Sequence, residues 1–162
     1  MGLVNSRDAL VAFADPTIFL FFGGFALATA LNVQKIDQMI ANKIMYLAKG
    51  RLFLAVLYLF IATTFFSMWM SNTATAAMMI PLSMMILSQL DRHKEHNTYV
   101  FVLLGIAYSA TIGGMGTLVG SPPNAIAASQ LHLNFGDWMK YGMPTMLLLF
   151  PLIIGWLSVS YT

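Results

Sequence analysis

The chain has no cysteine, which removes disulfides and thiolate metal sites from consideration. It is also poor in charge. Asp, Glu, Lys and Arg make up 9% of the 162 residues while hydrophobic residues make up 59%, and the mean hydropathy is +0.76. A soluble domain carries roughly 25% charge, and a chain this short has too little interior to hide so much apolar surface from water. Lipid is the solvent that suits it. The net charge of +2 is too small to point to nucleic acid. Residues 1–15 lack the basic start, apolar run and small-residue cleavage site of a signal peptide.

The few charges are segregated. None falls between Arg51 and Asp91 or between Glu95 and Asp137, and each gap exceeds the roughly 20 apolar residues that a bilayer crossing needs. The expected fold class is an all-α, multi-pass membrane protein. Residues 1–51 read as a scaffold-type transmembrane helix (16–31) followed by an amphipathic interfacial helix. In the latter, Ile36, Met39, Ile40, Ile44, Leu47 and Ala48 recur at helical spacing. Two apolar runs, 52–70 and 74–90, flank Ser71-Asn72-Thr73. They read as either two spans or a hairpin that enters and leaves on one side. Residues 98–131 read as an interrupted helix and 143–162 as a last span. With the 35–51 segment placed inside, six of the eight Lys and Arg residues lie inside and Arg7 and Lys140 outside, which obeys the positive-inside rule.

Two stretches break the apolar pattern. Residues 67–75 hold Ser67, Ser71, Asn72, Thr73 and Thr75; residues 113–124 hold four glycines, Thr117, Ser121, Pro122, Pro123 and Asn124. Proline removes a donor and glycine weakens a helix, so the second stretch is expected to leave helical geometry inside the membrane. Irregular backbone survives there only when buried in protein or lining a watery cavity. Broken helices free carbonyls that suit a hard cation and helix starts that attract anions. Neither stretch carries an ionisable group. A proton relay would need one, so neutral oxygen ligands favour sodium as the only metal. An anion would be held by amides, hydroxyls and helix ends.

These residues resemble the divalent anion/sodium symporter family, and especially its bacterial sodium/dicarboxylate members. The family carries a Ser-Asn-Thr hairpin tip, here Ser71-Asn72-Thr73, and a Pro-Pro-Asn loop, here Pro122-Pro123-Asn124. The stretches SMWMSNTATAAMMIPL, TYVFVLLGIAYSATIGGMGTLVGSPPNAIAA and FGDWMKYGMPT extend the likeness over nearly the whole chain in matching order. The resemblance implies a re-entrant helical hairpin, an unwound helix and an elevator-type movement against a dimerising scaffold. It implies sodium at Ser67, Ser71, Asn72 and Gly120, and substrate carboxylate at Asn72 and Thr73. Gly116, Thr117, Ser121, Pro122, Pro123 and Asn124 would form the supporting loop. Family members are built from two inverted repeats. This chain has one Ser-Asn-Thr and one Pro-Pro-Asn, so it is expected to be one half, needing a second repeat and a homodimer partner.

The expected function is sodium-coupled symport of a C4 dicarboxylate such as succinate, malate or fumarate across a bacterial inner membrane. Sulfate, citrate or another anion, a channel, and a structural half without transport of its own are the alternatives. No enzyme chemistry is expected, since Ser71 has no base in sequence context. The three histidines, His93, His96 and His132, lack zinc spacing. Thr63, Thr64, Ser83, Ser88, Ser109 and Thr111 are expected to bond to their own helix or pack, and Trp138 and Tyr141 to anchor at the interface.

Overall fold

The computed structural model describes residues 36–88, 90 and 95–161, with isolated positions between 19 and 34. The expected first span at 16–31 therefore lies largely outside the described residues, as do Arg7, Lys35, Arg92 and Lys94 of the orientation argument. From residue 36 on, six helices run in order among the described residues: α1 (Ile36–Ala48), α2 (Leu52–Ser67), α3 (Asn72–Leu87), α4 (His96–Met115), α5 (Pro122–Gln130) and α6 (Phe135–Tyr161). No strand occurs among the described residues.

Helix α1 buries Ile44 and Ala48 and rests Ile40 on the core. Met39 and Leu47 of the expected apolar face point away from it. The chain leaves α1 through Lys49 and Gly50, both at positive φ (49° and 74°). Gly50 makes that left-handed exit without steric cost.

Helices α2 and α3 form a hairpin joined by residues 68–71. Each has 16 residues, about 24 Å at the α-helical rise. That falls short of the roughly 30 Å hydrocarbon core. Ser71 starts α3 as its N-cap, with its side-chain oxygen accepting from the Ala74 N–H at 3.2 Å. Helix α4, with 20 residues, and α6, with 27, are long and apolar enough to cross a membrane.

Helices α2 and α4 run side by side in the same direction. Phe60 packs on Gly105, and the Thr64 backbone packs on Gly113. Helix α3 runs opposite to α4: Asn72 meets Gly114 at one end, and the Tyr99 hydroxyl donates to the Leu87 carbonyl at 2.8 Å at the other. The core between them is Leu59, Phe60, Met79, Leu82, Leu87, Val102 and Ile106. Lipid tails are as apolar as these side chains, so close packing rather than water exclusion holds the helices together. The glycines permit that approach.

The last helix starts at Phe135, well before the expected boundary near residue 143. Asn134 explains the early start, because its side-chain oxygen accepts the Asp137 N–H at 2.9 Å and its carbonyl accepts the Trp138 N–H at 3.0 Å. Pro144 and Pro151 sit inside the helix without ending it, as membrane helices tolerate.

Candidate functional site

The hairpin tip and the interruption of α4 meet. Helix α4 continues through Gly113 and Gly114 to Met115, and a new helix begins at Pro122. The irregular stretch is therefore residues 116–121, narrower than the expected 113–124. Gly113 and Gly114 stay helical because their role is close approach. A Cβ on Gly113 would stand 2.2 Å from the Thr64 carbonyl oxygen.

Several of the freed backbone groups find partners. At the end of α4, the Gly113 carbonyl accepts the Gly116 N–H at 3.0 Å. The Asn124 amide nitrogen donates to the Gly114 carbonyl at 2.7 Å and to the Thr117 carbonyl at 2.9 Å. The Met115 carbonyl accepts the Trp138 indole N–H at 3.1 Å. Thr117, fully buried, donates its hydroxyl to the Met68 carbonyl at the hairpin tip and accepts the Gly120 N–H at 3.2 Å. Asn124 is thus the clamp of the loop. Asn124→Ala would strand two buried carbonyls, and stranding a buried acceptor costs about 1–3 kcal/mol. A matching loss in unfolding free energy, measured by thermal or denaturant unfolding in detergent, is the expected outcome.

Within this frame four oxygen-bearing groups converge. The Ser67 hydroxyl, fully buried, lies 2.5 Å from the Ala110 carbonyl oxygen and 2.8 Å from the Asn72 amide oxygen. Turned about, the Asn72 amide would present its nitrogen to Ser67 Oγ at 2.8 Å, to the Ala110 carbonyl at 3.1 Å and to the Gly120 carbonyl at 3.3 Å. Gly120 is admitted because it has no side chain; its Cβ would stand 2.7 Å from the Ser67 carbonyl oxygen. One amide therefore faces three oxygens. All three lie within hydrogen-bonding distance of it. No group of three His, Asp or Glu residues capable of holding a metal occurs among the described residues.

The expected residues divide. Ser67, Asn72 and Gly120 come together. The Ser71 hydroxyl caps α3, and Thr73 is exposed in the first turn of the same helix. That turn offers N–H groups with no partner inside the helix. Ser121 caps α5 without a side-chain bond, and Pro122 and Pro123 occupy its first turn. The prolines delete two of the donors an anion would use, leaving the α3 start as the better anion receptor of the two. Gly116 packs against Met146.

Two contributors escape sequence reading. The Ala110 carbonyl is an ordinary helix carbonyl with no side-chain signal. Trp138, expected at the membrane interface, also ties α6 to the end of α4. Trp69 stacks on Phe135 at 6.4 Å, fastening the hairpin tip to the start of α6. Thr63, Thr64, Ser83, Ser88 and Thr111 bond to their own helices as expected.

A neutral polar cradle where helices are interrupted, inside an apolar helical body, is the architecture of a membrane transporter. Comparison with known proteins agrees: the citrate transporter family model (CitMHS) matches residues 1–161, and the chain belongs to that family. An uncharacterized transporter of Haemophilus influenzae is 72% identical over 161 residues, covering 99% of this chain and 35% of the relative. An uncharacterized transporter of Methanocaldococcus jannaschii is 45% identical over 151 residues, covering 93% of this chain and 34% of the relative. The sodium-dependent dicarboxylate transporter SdcS of Staphylococcus aureus is 36% identical over 163 residues, covering 92% of this chain and 31% of the relative. The chain spans about a third of the length of these relatives.

Proposed function

We propose that this chain supplies one half of a sodium-coupled carrier for C4 dicarboxylates such as succinate, malate or fumarate, working in the bacterial cytoplasmic membrane. The observation that carries the reading is the cradle of Ser67 Oγ, the Asn72 amide and the Ala110 and Gly120 carbonyls. With the amide nitrogen inward, Asn72 donates to its neighbours and the cradle is satisfied without an ion. With the amide oxygen inward, four oxygens face one another, which is favourable only around a cation. Binding of sodium selects the second arrangement. Asn72 is also the first residue of α3, so the ion and the α3 amino end act on an anion together. A carboxylate at Thr73 would meet free N–H groups, a hydroxyl and the positive end of the helix.

The lengths of α2 and α3 support a re-entrant hairpin rather than two spans. The bonds that join the hairpin tip to the 116–121 loop support movement of both as one body, as an elevator mechanism requires. A second repeat would bring the other carboxylate receptor, and a homodimer partner the scaffold contact. The family description names citrate, while the SdcS relatives are named for dicarboxylates. The uncharged site fits sodium coupling in either case.

The test is uptake by the full-length protein in liposomes. Saturable succinate uptake that follows an inward sodium gradient is expected, with citrate and sulfate as weaker competitors. Uptake driven equally by a proton gradient without sodium would overturn the coupling, and stronger inhibition by citrate would reassign the substrate.

A further inference from the structure

Helix α1 closes one end of the bundle. The start of α2, the end of α3 and the start of α4 meet there, since α2 and α4 run together and α3 runs against them. Ile40, Ile44 and Ala48 of α1 share a core cluster with Ala55 and Val56 in the first turns of α2. The same cluster takes in Leu87 and Leu90, at and just past the end of α3.

A second stripe of α1 touches no core. Met39, Lys43, Tyr46 and Leu47 recur at i, i+4, i+7 and i+8, the spacing of one helix side. All four are exposed, Tyr46 at 78% and Met39 at 68%. Lys49, Arg51 and Phe53, exposed as well, follow in the turn and the first residues of α2. Among the described residues, none of Lys43, Lys49 and Arg51 is in an ion pair; the pair that is seen joins Lys140 to Asp137. Glu95, at the same end of the bundle, accepts the Thr98 hydroxyl at 3.1 Å. Asp37 lies six residues before Lys43, outside the spacing of the stripe.

Large apolar side chains beside unpaired cations suit neither bulk water nor hydrocarbon. They suit the boundary between the two, where aliphatic and aromatic groups enter the acyl region and Lys and Arg reach back to the phosphates. Cations clustered beside membrane helices attract anionic lipid. We propose that the exposed side of α1 and the turn at 49–51 form a docking surface for anionic phospholipid. Lys43, Lys49 and Arg51 receive headgroup phosphates, and Met39, Tyr46, Leu47 and Phe53 enter the acyl boundary. The inference needs a membrane protein but is independent of the sodium and dicarboxylate reading.

The experiment is thermal unfolding of the purified full-length protein in nonionic micelles doped with phosphatidylglycerol or with phosphatidylcholine. Phosphatidylglycerol is expected to raise the unfolding temperature of wild type, and phosphatidylcholine at the same mole fraction is not. Raising salt from about 0.1 to 1 M cuts the screening length from about 10 to 3 Å, so it should remove most of the effect. Lys43→Gln, Lys49→Gln and Arg51→Gln should each raise the mole fraction for half-maximal stabilisation about fivefold, and the triple variant should lose the response. The charge-keeping triple of Lys43→Arg, Lys49→Arg and Arg51→Lys should respond like wild type. Lys140→Gln should also respond like wild type, because Lys140 stands at the opposite end, where α6 starts beside the end of α4.

Equal stabilisation by phosphatidylcholine, or a response that ignores salt, would overturn the proposal. So would a full response in the triple glutamine variant, or a loss in Lys140→Gln as large as its own. Inorganic phosphate that reproduces the effect without lipid would also overturn it, since a soluble anion would then be the ligand. Should the triple glutamine variant fail to fold, the salt dependence of wild type and the three single variants decide the matter.

Discussion

Asn72→Ala is expected to raise the sodium concentration for half-maximal uptake about 10- to 100-fold, because a hydrogen bond or ligand to a charged group is worth about 1.5–3 kcal/mol. The apparent affinity for dicarboxylate should fall with it. The amide faces the Ser67 hydroxyl and the Ala110 and Gly120 carbonyls, so its loss removes the proposed ligand and leaves those oxygens facing one another. Asn72 also opens α3, beside the exposed Thr73. Raising sodium should partly restore substrate affinity in the variant, since in the proposed function ion and anion share this residue. Uptake measured at several sodium concentrations separates the two effects. A sodium dependence within about twofold of wild type would remove Asn72 from the ion site, because that difference is under 0.5 kcal/mol.

The second large effect is structural. Gly113→Ala would place a methyl group 2.2 Å from the Thr64 carbonyl oxygen, 2.8 Å from its Cα and 2.9 Å from its carbonyl carbon. All three are backbone atoms of α2, so no side chain can swing aside. The helices would have to part, and overpacking of this kind costs about 1–3 kcal/mol or more. Parting them would also pull Ser67 from Ala110. A drop in unfolding temperature together with loss of sodium-induced stabilisation is expected. Gly155→Ala is the matched control, because a Cβ there meets nothing within 4 Å. Alanine favours the helix by up to about 1 kcal/mol, so that variant should be neutral or slightly stabilised. Equal behaviour of the two variants would mean that α2 and α4 do not approach as closely as described.

The sequence carried the broad architecture plainly, for physical reasons. Long uncharged stretches can only be membrane helices, and a cluster of glycines and prolines inside one of them has to interrupt it. That Ser67, Asn72 and Gly120 stand out was legible for the same reason, as polar or side-chain-free positions where apolar ones are expected, and the structure brings them together. The limits of the interruption were not. Gly113 and Gly114 look like helix breakers in sequence, yet they remain helical and leave room for neighbours, Gly113 for the Thr64 backbone and Gly114 for the Asn72 side chain. The start of α6 was hidden in a polar link, where Asn134 acts as a cap. Pro144 reads as a boundary but is absorbed. The Ala110 carbonyl belongs to every residue type and has no signature. Trp138 shows the opposite difficulty: a tryptophan near a polar link has a ready explanation at the membrane surface, and only the fold reveals its bond to Met115.

The hydrogen bonds between hairpin tip and loop join residues far apart in the chain. Ser67 reaches Ala110 across 43 positions, and Thr117 reaches Met68 across 49. During synthesis the tip is made first and has no partner for these groups. Unsatisfied polar groups are excluded from hydrocarbon, so a lone hairpin has reason to wait at the aqueous boundary. Closure of the tip therefore waits on the synthesis of residues 110–124, which carry the partners of Ser67 and Met68.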